Sequence, residues 1–242
     1  MKYSRIIPRI DIKGPNLVKG IHLEGLRVLG KPDFFAKVYY ENGADELIFQ
    51  DTVASLYQRN NLSELISKTA KNIFIPLTVG GGIRTLEDIN IALRAGADKV
   101  SINTAAISNP DFISKAAKVF GSSTIVIAIE AIKQNDSSYL AFTDNGREYT
   151  GKEVLPWAEE VEQLGAGEIL LTSIDREGTG TGFDIDLIEK LSKVVNIPII
   201  AHGGPSTKSH IADVLSDNYA DAVAISSMFH YSVLKRDEKL QS

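Results

Sequence analysis

Two carboxylates occupy positions suited to proton transfer. Asp11 closes the apolar run Ile6-Ile7-Pro8-Arg9-Ile10, and Glu130 closes Ile125-Val126-Ile127-Ala128-Ile129. An acid and a base that work on one substrate need surroundings that push their two pKa values apart. Each carboxylate has a plainer alternative, a stabilising pair with Lys13, Lys19 or Lys133. Two glycine clusters, Gly80-Gly81-Gly82 and Gly203-Gly204, expose backbone N–H groups ahead of helical patterns, an arrangement that cradles phosphate. One strand later each is followed by small polar residues, Ser101-Ile102-Asn103-Thr104 and Ala224-Ile225-Ser226-Ser227. Glycines alone are ordinary turn formers. Their paired placement predicts two phosphate sites, and hence a substrate with a phosphate at each end. The stretch Asp175-Arg176-Glu177-Gly178-Thr179-Gly180-Thr181-Gly182 has the composition of a loop that closes over a ligand, adds phosphate donors, or is simply flexible. His202 ends an apolar run, facing either ligand or packing. The four histidines, His22, His202, His210 and His230, show no metal-binding spacing, so no metal and no cofactor is expected.

These residues need a scaffold that gathers strand ends. Eight short, β-branched, almost wholly apolar runs lie near 6–13, 46–52, 74–81, 99–103, 124–132, 168–175, 197–204 and 222–229. Each is followed by a helical pattern, such as Leu86 to Ala95 or Val154 to Leu164. Strands apolar throughout belong to a parallel sheet covered on both faces. The chain also repeats itself with a period near 122: Ile75 to Thr85 aligns with Ile197 to Thr207 at five identities in eleven, and Gly43-Ala44-Asp45-Glu46 aligns with Gly165-Ala166-Gly167-Glu168. Four βα units twice over, without a Pro/Gly/Ser-rich linker, predict a single (β/α)8 TIM barrel over residues 1–242 with a two-fold internal repeat and half-barrels at about 1–121 and 122–242. An open, doubly wound sheet is the competing topology. In the barrel, Asp11, Glu130 and both glycine clusters share the mouth, at the strands' C-terminal ends. Arg5, Glu46, Lys99 and Glu168 precede strands and meet at the floor, two of each sign. On this arithmetic alone a stabilising ion cluster is the favoured reading.

Composition narrows the function classes. In 242 residues there are 26 basic and 31 acidic side chains, a net charge of −5 that offers no general attraction for nucleic acid or an anionic membrane. The absence of cysteine excludes disulfides, thiolate metal sites and cysteine nucleophiles. No uninterrupted apolar stretch approaches the ~18 residues of a membrane span, and the N-terminal residues lack an apolar signal core. A cytoplasmic protein is expected.

Several long strings carry a family resemblance: Arg5-Ile-Ile-Pro-Arg-Ile-Asp11-Ile-Lys13, Val18-Lys19-Gly20, Phe74-Ile-Pro-Leu-Thr-Val-Gly-Gly-Gly-Ile-Arg84-Thr85, Ala95-Gly-Ala-Asp-Lys-Val-Ser-Ile-Asn103-Thr104 and Gly165-Ala-Gly-Glu-Ile-Leu-Leu-Thr172-Ser173. With them the chain resembles, over nearly its whole length, the cyclase subunit of imidazole glycerol phosphate synthase, from histidine biosynthesis. The resemblance implies a lyase that takes ammonia from a glutaminase partner, a glutamine amidotransferase subunit docked at the barrel floor, through a gate of Arg5, Glu46, Lys99 and Glu168. Ammonia then attacks a ribulosyl aminoimidazole carboxamide nucleotide bearing a phosphate at each end, giving imidazole glycerol phosphate and aminoimidazole carboxamide ribotide. It also implies that Asp11 and Glu130 are the catalytic pair. Lys19, Thr172, Asp175, Glu177, Gly178 and His202 then join Gly81, Gly82, Asn103, Thr104, Gly203, Gly204, Ser226 and Ser227 around the substrate. Four positions depart from the family pattern. Glu130 and Glu177 stand for aspartates, His202 for a serine and Arg9 for a cysteine. They suit a second reading, a paralogous subunit that channels ammonia for nucleotide-sugar amidation in surface polysaccharide synthesis, with cyclisation lost or altered. A phosphosugar isomerase of the sister barrel family is a third reading, disfavoured by the floor charges.

Overall fold

The computed structural model describes residues 4–54, 62–216 and 219–241. Strand β1 (Arg5–Lys13) leads into an antiparallel hairpin, β2 (Asn16–Ile21) and β3 (Glu24–Gly30). Then follow α1 (Pro32–Glu41), β4 (Leu47–Asp51), α2 (Ser63–Ala70), β5 (Leu77–Gly80), α3 (Leu86–Ala95), β6 (Lys99–Ile102), α4 (Thr104–Ser108) and α5 (Asp111–Phe120). Strand β7 (Ile125–Lys133) again leads into a hairpin, β8 (Tyr139–Thr143) and β9 (Glu148–Glu153). The chain continues through α6 (Val154–Gln163), β10 (Glu168–Ser173), α7 (Ile185–Ser192), β11 (Ile199–His202), α8 (Lys208–Ser216), β12 (Ala222–Ile225) and α9 (Ser227–Gln241).

Eight of these strands close on themselves in the order β1-β4-β5-β6-β7-β10-β11-β12, every neighbouring pair parallel, with β12 returning to β1. This is a single (β/α)8 barrel. Strand residues alternate between two apolar environments, as a period of two requires. Ile7, Ile48, Val126, Leu170 and Ile200 fill the lumen as one cluster. Ile10, Phe49, Val79, Val100, Ile127 and Ile169 point the other way and are buried under the helices. The helices begin and end where local chemistry dictates. Thr85 accepts from Asp88 N while the Asp88 carboxylate accepts from Thr85 N, a capping box that starts α3. Asp184 caps α7 by accepting from Leu187 N.

Each expected run falls on a strand, the sixth and seventh shortened to Glu168–Ser173 and Ile199–His202, and two others differ more. The third begins at Leu77, after Pro76, and the eighth stops at Ile225 because Ser227 already opens α9. The two hairpins are additional. Both leave the two nine-residue strands, β1 and β7, and so rise over the mouth from opposite sides of the ring. Among the described residues, no helix is long and apolar enough to cross a membrane.

Candidate functional site

Alternation along β1 sends Arg5, Ile7, Arg9 and Asp11 inward, from floor to mouth. At the mouth, Asp11 is 2 % exposed and accepts from Arg9 Nε at 2.9 Å and Lys19 Nζ at 3.5 Å. Lys19 arrives from β2 and also pairs with Glu177, in the loop after β10. Glu177 Oε2 accepts from Leu23 N at 2.9 Å, so this carboxylate ties down the first hairpin. Arg9 Nη1 donates to His202 Nδ1 at 3.2 Å and reaches Thr172 Oγ1 at 3.3 Å, while Ser226 Oγ donates to the Arg9 carbonyl at 3.0 Å. Asp11, Lys19, Thr172, Glu177, His202 and Ser226 thus form one buried cluster with Arg9 at its hub. Burial alone would lift the Asp11 pKa, but the Arg9 and Lys19 cations hold it well below the usual carboxylate range. Burial, with Arg9 and Lys19 beside it, pushes His202 well below the ordinary histidine range and keeps the ring neutral.

Glu130 sits in different surroundings. It accepts from Gly146 N, in the second hairpin's turn, at 2.8 Å. Burial pushes its pKa up to about 7, against the opposing pull of Arg9 and the Gly146 bond. Glu130 lines a pocket of about 380 Å³ together with Gly81, Gly82, Asn103, Thr104 and Arg84. Gly81 has φ +93°, and a Cβ there would lie 2.3 Å from the Asp51 carbonyl oxygen, so the close turn needs glycine. A second pocket, of about 560 Å³, is lined by Glu177, Gly178, His202, Gly203, Gly204, Ser226 and Ser227, with Lys235 and Arg236 from α9. A Cβ on Gly204, at φ +102°, would meet the Gly182 carbonyl oxygen at 2.0 Å. Each predicted phosphate cluster therefore lines its own pocket. Asp11, Lys19, Thr172 and Asp175 line neither. The Asp175 carboxylate is taken up by Lys133 N at 2.8 Å.

At the floor the four expected charges meet in an alternating ring. Arg5 Nη1 donates to Glu46 at 2.7 Å and Glu168 at 2.8 Å, and Lys99 Nζ donates to Glu46 at 3.2 Å and Glu168 at 3.1 Å. Phe74, three residues ahead of β5 and so toward the strands' N-terminal end, is 80 % exposed and meets Tyr40 edge-on.

Sequence reasoning missed Arg9 as a member of the site, although the alternation Arg5, Arg9, Asp11 marks it as inward. It also missed the backbone donors of Leu23 and Gly146. The tripeptide Asp144-Asn145-Gly146, all at positive φ, was an available turn signal for the second hairpin. Lys235 and Arg236 carried no signal beyond their charge.

Comparison with known proteins gives a consistent picture. The family model described as "Histidine biosynthesis protein" matches residues 5–235. The chain is 59 % identical to the Legionella pneumophila imidazole glycerol phosphate synthase subunit HisF over 204 residues, 84 % of this chain and 96 % of that protein. It is 46 % identical to the subunit of the same name from Alkaliphilus metalliredigens over 229 residues, 95 % of this chain and 91 % of the relative. It is likewise 46 % identical to that of Lactococcus lactis subsp. cremoris over 239 residues, covering 98 % and 92 %.

Proposed function

The chain belongs to the histidine biosynthesis protein family, and from that premise we propose that it is the cyclase subunit of an imidazole glycerol phosphate synthase, a lyase supplied with ammonia by a glutaminase partner. Its substrate is the ribulosyl aminoimidazole carboxamide nucleotide with a phosphate at each end, and its products are imidazole glycerol phosphate and aminoimidazole carboxamide ribotide. The observation that carries this reading is one mouth holding two glycine-walled pockets and two carboxyls whose pKa values are driven apart. Pockets on Gly81 and Gly82 with Asn103 and Thr104, and on Gly203 and Gly204 with Ser226 and Ser227, suit the two phosphates. Gly178 lets the first hairpin approach closely, since a Cβ there would lie 2.8 Å from the Gly20 carbonyl oxygen. Lys19 and Glu177 then hold that hairpin across the mouth.

The split in protonation supports a division of roles. Asp11, kept anionic by Arg9 and Lys19, is the base. Glu130, near 7, keeps a proton to give to the departing group. Ammonia reaches this mouth from the floor. The ring of Arg5, Glu46, Lys99 and Glu168 suits its gate, and exposed Phe74, ahead of β5 toward the same end of the strands, suits a partner's surface. The relatives carry the synthase-subunit name, which favours cyclisation over nucleotide-sugar amidation.

Turnover of the bisphosphorylated nucleotide with excess ammonium tests the reading. Wild type is expected to turn over, and Asp11→Asn to lose ~10²–10⁴-fold, as when one member of an acid/base pair is removed. Lys99→Ala is expected to impair glutamine-dependent turnover far more than ammonium-dependent turnover. Negligible wild-type turnover with ammonium would overturn the cyclase assignment.

A further inference from the structure

Arg9 is 2 % exposed and lies between the mouth ends of β1, β10 and β11. A guanidinium only donates hydrogen bonds. His202 Nδ1, at 3.2 Å from Arg9 Nη1, is therefore an acceptor, and the ring proton is on Nε2. That Nε2 lies 3.4 Å from Ser226 Oγ, which spends its own proton on the Arg9 carbonyl at 3.0 Å. The bonds run one way round a closed cycle, from the Arg9 side chain to His202, to Ser226 and back to the Arg9 backbone. Thr172 Oγ1 flanks the cycle, 3.3 Å from Nη1 and 3.2 Å from Nδ1. With Nη1 fixed in this way, the rigid fork of the guanidinium leaves Nε aimed at Asp11, 2.9 Å away.

We propose that Arg9 and His202 act as one positioning unit, in which neutral His202 holds the Arg9 guanidinium against Asp11, so that Asp11 stays ionised and proton donation falls to Glu130. The last clause rests on the acid/base reading above. A protonated His202 would face N–H against N–H and break the cycle. Burial and two neighbouring cations, Arg9 and Lys19, keep it neutral, and Asp11 is the one group there that favours its charge. The charged and polar groups facing Glu130 are Arg9 from β1, Asn103 after β6, and Asp144 with Gly146 N from the second hairpin. Asp51 and Arg84 share its pocket. Arg9 is thus the cation whose field reaches both carboxyls.

Carboxyl titration by carbon NMR on Asp11 and Glu130, beside the pH dependence of kcat/KM with ammonium, tests the unit in wild type, Arg9→Gln, His202→Ala and His202→Asn. In Arg9→Gln, Asp11 is expected to titrate in the ordinary carboxylate range, and Glu130 to move upward by about one pH unit or more, since each has lost an adjacent cation. His202→Ala frees the guanidinium and is expected to move both in the same direction by less. His202→Asn, whose amide oxygen can accept from Nη1, is expected to restore the wild-type titrations. If Arg9→Gln does not fold, the two His202 variants carry the same comparison. Unmoved carboxyl titrations in Arg9→Gln, or His202→Ala indistinguishable from wild type, would overturn the proposal. Carboxyl titrations that shift as expected while the kcat/KM profile stays fixed would uphold the Arg9–His202 unit and overturn Glu130 as the proton donor.

Discussion

Replacing Glu130 with glutamine isolates the electrostatic cost stored in the first pocket. Burial lifts this carboxyl from 4.5 to about 7, so ionising it in the folded protein costs about 3 kcal/mol more than in the unfolded chain. Below pH 4.5 the group is protonated in both states and contributes no pH dependence. Between 4.5 and 7 the folded protein keeps a proton that the unfolded chain releases, so stability falls as pH rises; above 7 the full cost is felt. Glutamine cannot ionise, yet its amide oxygen can still accept from Gly146 N. The unfolding free energy of Glu130→Gln relative to wild type is therefore expected to rise by about 3 kcal/mol from pH 4.5 to pH 8 and level off there. Urea unfolding followed by fluorescence of Trp157, the single tryptophan and a buried one, measures this directly. A difference flat across that range would refute the burial argument.

Asp11 has the opposite sign. Its depressed pKa stabilises the fold above the unfolded value, so wild type should lose stability relative to Asp11→Asn as the pH falls below about 4, seen in acid unfolding curves. Gly204→Ala adds a Cβ at positive φ against a backbone oxygen and should cost at least ~1–2 kcal/mol. Calorimetric titration with inorganic phosphate should then show one site fewer than wild type. Glu177→Gln weakens the hold on Lys19 and Leu23, and exchange of the Leu23 amide hydrogen should quicken by about tenfold. Glu46→Gln leaves Arg5 and Lys99 sharing Glu168, and its stability loss, about 1 kcal/mol, should shrink as salt is raised.

The barrel was legible in the sequence because each level of the pattern agreed. Strands that read as apolar throughout could only be covered on both faces, and the half-length repeat argued against an open sheet. The floor ring followed from strand starts alone, since four charges at the first residue of a buried strand, or one residue ahead of it, have a single place to meet. The mouth was less legible. Strand period marks Asp11 as inward, but whether it faces a pocket or an ion pair depends on Lys19 and Glu177. They reach it from a hairpin and a loop that no periodicity encodes. His22 and Leu23 form the first hairpin's turn at positive φ, where neither residue type advertises a turn. Asp175 shows the same limit, being drawn to Lys133 N by the way its loop closes.

The inward face of β1 spans the barrel from floor to mouth. Arg5 and Arg9 are four residues apart, about 13 Å along the strand. Two cations and two anions balance at the floor, Arg5 and Lys99 with Glu46 and Glu168, and in the cluster around Arg9 at the mouth two of each balance as well, Arg9 and Lys19 with Asp11 and Glu177, with Glu130 beside them. Between these neutral discs lies a hydrocarbon spacer of Ile7, Ile48, Val126, Leu170 and Ile200. The ends are insulated from one another, because the field of a balanced cluster dies away faster than that of a lone charge. A rearrangement that keeps the floor ring balanced therefore reaches carboxyl protonation at the far end only weakly through electrostatics. Communication between the two ends is then mechanical, carried by sliding or tilting of the strands that span both.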